Sequence, residues 1–184
     1  MDFFLKAKAW QIFLLIVVVP FGFQSTIMVS IISSIETNPE LIFKVMPLLT
    51  IVFMGVFLLW FWSLGVGLNK RLPEEIQPKI RFFKFGIIYS AVYMLLFQAL
   101  FIVFAAGGGK GGGYMAIIFP LHLFAMYCIF YALHFICKNL AIFEEQQTVK
   151  FSTFAGTFFL LWFFPIGIWF IQPRINKVYI AKNT

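Results

Sequence analysis

The chain has 184 residues, 62% of them hydrophobic and only 11% charged, with a mean hydropathy of +0.95. Soluble domains are about half apolar and about a quarter charged, so an ordinary water-soluble globular domain is excluded. The net charge of +7 would suit a nucleic-acid partner in a soluble protein, but no polar domain remains to carry such a surface, and no nucleic acid is expected; anionic headgroups and membrane orientation account for the basic residues.

No Asp, Glu, Lys or Arg occurs in 9–35, 45–69, 85–109, 111–137 or 151–173, which are runs of 27, 25, 25, 27 and 23 residues. A helix rising about 1.5 Å per residue needs roughly 20 apolar residues to cross about 30 Å of hydrocarbon, so each run is long enough. They predict helices over about 10–33, 47–68, 85–105, 114–136 and 154–171. The fold class that follows is an all-α integral membrane protein, one domain, built as a bundle of four to five transmembrane helices.

In the first run, Lys6 and Lys8 precede the apolar stretch from Trp10 to Phe23, as they would in a secretory signal. Gln24, Ser25 and Thr26 are followed by more apolar sequence, however, and no Ala-x-Ala site appears, so the run reads as an uncleaved span. Ser63 and Gly67 near the end of the second run, and Gly86 and Ser90 near the start of the third, form small-x-x-x-small pairs. Small residues let backbones approach, so these positions predict close packing of the second span on the third. Between them lie Lys70, Arg71, Lys79, Arg81 and Lys84, the most basic connection and a candidate surface for headgroups or a partner.

The segment Gly107 to Gly113 surrounds Lys110 with six glycines. It lacks the spacing and hydroxyl of a phosphate-binding loop and reads as a flexible connector. In the fourth run, Cys128 and Cys137 are nine helical residues apart, about 13 Å, too far for a disulfide. His134 and Cys137 share a helix face, but two ligands do not make a zinc site, and no metal or cofactor is expected.

The fifth run carries Pro165-Ile166-Gly167, the local chemistry of a kink or break. Loops rich in Lys and Arg stay cytoplasmic. Five full spans put nine basic residues inside and five outside, whereas a fifth run that turns back changes the balance to twelve and two. A Pro-kinked span and a re-entrant hairpin therefore both remain open. Leu58-Leu59-Trp60-Phe61 recurs as Leu160-Leu161-Trp162-Phe163, and Ile76-Gln77-Pro78-Lys79-Ile80 is echoed by Ile171-Gln172-Pro173-Arg174-Ile175. If these were copies of one unit, three spans between them would make an inverted repeat of the transporter kind.

Without charges, the polar residues inside the runs carry what chemistry there is. Gln24, Gln98 and His122 fall at similar depth, about 20 Å from the inner face, with Pro165 and Gly167 near the same level if the fifth run continues through. Such a layer is either a polar binding site or constriction, or hydrogen bonding between helices. No carboxylate lies in any run, which argues against acid–base catalysis and cation-coupled transport. The expectation is a non-enzymatic structural or partner-binding subunit of a membrane complex, with the lipid bilayer and other membrane subunits or copies of itself as partners. It would lie in a bacterial inner membrane with a cytoplasmic N-terminus. The alternative is a small channel or carrier for a neutral or lipidic solute.

Overall fold

A computed structural model describes residues 3–34, 41–106 and 114–181. Helices account for nearly all of these, because only internally hydrogen-bonded backbone is tolerated in hydrocarbon. In chain order they are α1 (Phe3–Lys6), α2 (Ala9–Phe13), a π-helical turn (Leu14–Val18), α3 (Val19–Ser34), α4 (Leu41–Asn69), a 3-10 turn (Glu74–Ile76), α5 (Arg81–Ala106), α6 (Tyr114–Glu145), α7 (Phe151–Trp162) and α8 (Phe164–Ala181).

Four of these stretches are long and apolar enough to span a bilayer: Ala9–Ser30, Val45–Asn69, Arg81–Val103 and Ala116–Glu145. The protein is an all-α membrane bundle. In the first span, Pro20 has no N–H and its ring crowds the Ile16 carbonyl; the preceding turn widens to the π form, with the Val19 N–H reaching the Leu14 carbonyl. α5 begins at Arg81, four residues before the uncharged run, and α6 continues to Glu145 because Leu140, Ala141 and Ile142 remain buried past Lys138.

The fifth run folds back on itself as a helical hairpin. α7 has 12 residues, about 18 Å of rise, and ends at Phe163, whose φ of −86° and ψ of 54° leave the helical region. Pro165 then occupies the first turn of α8, where a missing N–H costs nothing. α8 returns along α7 closely enough that a methyl group at Gly167 would overlap the Leu160 carbonyl. Farther down, the Arg174 guanidinium donates to Thr157 Oγ1 (2.9 Å) and to both carboxylate oxygens of Glu144 at the end of α6, with Nε 2.7 Å from Oε1. Residues 157 and 174 would stand about 25 Å apart in a continuous helix. Of the two arrangements open in the sequence, the structure has the hairpin.

The hairpin also removes the basis for an internal repeat. Leu58 to Val66 lies within unbroken α4, whereas Leu160 to Ile168 contains the reversal. Ile76 to Ile80 is a 3-10 turn and extended chain, and its echo Ile171 to Ile175 is helix.

The core lies towards one end of the bundle, the end bearing α1, the 70–80 connection and the return of α8, hereafter the basic end. Trp60, Phe61, Phe83 and Phe154 are fully buried there, joined by Ile168, Ile171, Ile175 and Val178 along one face of α8. At the far end the spans separate: Phe21, Phe23, Val29, Val103, Ile117 and Phe119 are all well exposed.

Candidate functional site

α4, α5 and α6 enclose a cavity of about 340 Å³. Each helix supplies one face at helical spacing: Thr50, Met54 and Leu58 from α4; Ser90, Tyr93, Met94, Phe97 and Gln98 from α5; His122, Ala125, Met126, Ile129 and Phe130 from α6. The lining is apolar apart from five polar side chains, none of them a carboxylate, ammonium or guanidinium. Two hydroxyls are satisfied by their own helices, Ser90 Oγ donating to the Gly86 carbonyl (2.8 Å) and Thr50 Oγ1 to the Met46 carbonyl (3.0 Å). Tyr93 and His122 are joined through the phenol oxygen and Nδ1 at 3.0 Å. Gln98 differs: it is only 8% exposed, and its amide makes no hydrogen bond among the described residues. A primary amide offers two donors and an acceptor, so Gln98 brings unused hydrogen-bonding capacity to this wall.

The polar layer read from the sequence is thus divided. Gln98 and His122 line one cavity, but Gln24 lies on α3 beside a second of about 170 Å³, with Phe53 of α4 and Phe164 from the hairpin turn. Depth along a helix was readable from position, whereas direction around the axis depends on which helices are neighbours. Pro165 and Gly167 shape the hairpin turn and do not join the Gln98 cavity.

The small residues make close contacts, with partners other than those expected. Ser63 is buried. Gly67 lies under Leu5 of α1, and a methyl at Gly86 would meet Cys128 of α6, 3.3 Å from its Cβ. The tight approach of α5 to α4 occurs at Gly65, where the Phe83 ring occupies the space of a side chain. In the basic connection Lys70, Lys79, Arg81 and Lys84 are exposed. Arg71 instead folds inward, donating to the Gly67 carbonyl (2.8 Å) with its guanidinium 4.8 Å from the Tyr179 ring centre. His134 packs beside Phe151 and Phe154, and Cys128 and Cys137 are both buried. The Gly107 to Gly113 segment, with Lys110, lies outside the described residues.

Polar residues not singled out in the sequence hold the basic end together. Gln172 Nε2 donates to the carbonyls of Phe4 (2.7 Å) and Ala7 (3.0 Å), and Asn176 Nδ2 to those of Leu5 (2.8 Å) and Ala7 (3.1 Å). These amides, one helical turn apart on α8, satisfy carbonyls released where α1 stops. Asn69 donates to the Pro78 carbonyl (3.0 Å) and to Asn139 Oδ1 (3.2 Å), fastening the 70–80 connection and joining α4 to α6. Their signal was polarity at the margins of apolar helices, legible only once α8 is known to turn back. No protein-family model matches the chain, and comparisons with curated proteins and with solved structures return no significant match.

Proposed function

We propose that the protein is a non-enzymatic, partner-binding subunit of a membrane assembly, docking through the far half of α3. The observation that carries this reading is the face formed by Gly22, Thr26 and Ser30. These residues recur every fourth position, all three are exposed, and nothing stands within 4 Å of a side chain built at Gly22. Thr26 Oγ1 donates back to the Gly22 carbonyl (2.9 Å) and Ser30 Oγ to the Thr26 carbonyl (3.0 Å), so the stripe is low and smooth. In lipid, helices associate where small residues let backbones approach, and this stripe occupies the least buried of the four spans. The partner is a transmembrane helix, from another subunit or a second copy.

The proposed location is a bacterial inner membrane with the basic end in the cytoplasm. The hairpin supports that orientation, because Arg174 and Lys177 then lie with Lys6, Lys8 and the 70–80 connection at one end. Purification in native nanodiscs tests the assembly: a stoichiometric membrane companion or a homodimer is expected, and Gly22→Ile should release it while Gly55→Ile, on α4, should not. A monomer without companions, or a complex indifferent to Gly22→Ile, would overturn the reading.

A further inference from the structure

We propose that the cavity between α4, α5 and α6 binds a neutral single-chain lipid, an acyl or isoprenoid chain whose uncharged carbonyl or hydroxyl head is hydrogen-bonded by the Gln98 amide. This inference stands apart from the α3 interface.

Charge selects against other ligands. Among the described residues no Asp, Glu, Lys or Arg lines the cavity, and none occurs in residues 85–109 or 111–137, which supply two of its three walls. A phosphate or carboxylate head would be desolvated there without a counter-charge, and so would an ammonium. A neutral head is compatible, and Gln98 can act as donor or acceptor towards it. The volume of about 340 Å³ lies near the lower end for small-molecule sites and suits one chain better than a two-chain phospholipid. Met54, Met94 and Met126 supply flexible thioether walls that adapt to a mobile chain.

Access favours a lipid over an aqueous solute. His122 and Met126 belong both to the lining and to the exposed surface of α6, beside exposed Leu123. His122 stands eight residues into α6, about 12 Å below its start, so the mouth meets hydrocarbon. A ligand can therefore enter sideways from the bilayer.

The test uses the full chain in phosphatidylcholine vesicles with a monoacylglycerol carrying a mid-chain diazirine, a matching fatty acid and a matching alkane. Photolabelling by the monoacylglycerol should saturate, map to Met54, Met94 and Met126, and be displaced by unlabelled monoacylglycerol. Ala125→Trp, which fills the space, should lower it at least tenfold; if that variant does not fold, Met94→Trp tests the same volume. Gln98→Leu should weaken the monoacylglycerol fivefold to tenfold, about what one neutral hydrogen bond contributes, and leave the alkane unchanged. The same variant should be no less stable than the parent in lipid-free detergent, because it removes an unpaired amide. Labelling that rises linearly and spreads equally over Leu95, Leu96 and Val103 would overturn the proposal as annular lipid only. Preference for the fatty acid, indifference to the filling variants, or loss of stability in Gln98→Leu would overturn it as well.

Discussion

Gly167 offers the sharpest test of the fold, because a single methyl group distinguishes the hairpin from a continuous span. Its position in α8 leaves no room for Cβ: the site is occupied by the Leu160 carbonyl, a main-chain group that cannot rotate away. In an unbroken helix residues 160 and 167 would be two turns apart, about 10.5 Å, and would not touch. Gly167→Ala therefore forces α8 to slide or tilt on α7, and overpacking of this kind costs about 1–3 kcal/mol. The better helix propensity of alanine returns about 0.5–1 kcal/mol of that. Gly156, on α7 of the same hairpin, is exposed with open space around it, so Gly156→Ala should gain the propensity term alone. The propensity gain is common to both positions, so the two variants should differ by the overpacking cost alone, about 1–3 kcal/mol, an apparent Tm gap of about 2–12 °C for a chain of this size. Thermal unfolding of both variants in one detergent measures it. If Gly167→Ala is as stable as Gly156→Ala, the two arms do not pack and the run is one kinked helix.

The remaining expectations concern the same end of the molecule. Reporters fused at the two termini should read the same side of the membrane, active or silent together in a reporter that works only in the cytoplasm; opposite readings would mean that residues 151–173 cross. Gln172→Leu should leave the Phe4 carbonyl without its donor, and Asn176→Leu the Leu5 carbonyl, each costing about 1–3 kcal/mol and raising hydrogen exchange in residues 3–12. Because each single variant leaves the Ala7 carbonyl its other donor and the double variant removes both, the double variant should cost more than the sum. Strict additivity would show that the shared carbonyl does not couple them.

What was legible in the sequence depended on one strong constraint. Uncharged runs specify spans because buried charge is expensive, and that logic pointed to the four helices long and apolar enough to cross, of which α5 starts earlier and α6 ends later than the runs suggest. The fifth run met the same length criterion as the others, and length alone could not distinguish crossing from doubling back. The discordant basic tail and Pro165-Ile166-Gly167 marked the ambiguity, but the decision lay in contacts between residues far apart in sequence, such as Arg174 with Glu144. The cavity was half legible. Gln98 and His122 could be matched by depth, whereas the separation of Gln24 follows from α3 lying away from α5 and α6, a neighbour relation that a uniformly apolar helix does not encode. Gly65 was passed over for Gly67 because spacing identifies small residues without saying which side chain, here that of Phe83, fills the space they leave.

The uneven packing along the membrane normal connects these features. At the basic end, residues of α1, α2, α5, α6, α7 and α8 share one core with Trp60 and Phe61 of α4, and amide and guanidinium groups from α8 tie α1 and α6 into one unit. That end has its internal hydrogen bonds largely in place. Trp60 Nε1, Arg71 Nε and Gln172 Oε1 are the fully enclosed side-chain atoms without a partner among the described residues. Towards the far end the hairpin no longer fills the space between spans, since α7 rises only about 18 Å. Two consequences follow from that missing layer. α3 separates with its small-residue face uncovered, and α4, α5 and α6 splay enough to leave a cavity with an unpaired amide. A fifth full span would have covered one or both. The reversal at Phe163 thus leaves the α3 face and the α4–α5–α6 cavity uncovered, so a variant that straightens it should occlude one or both.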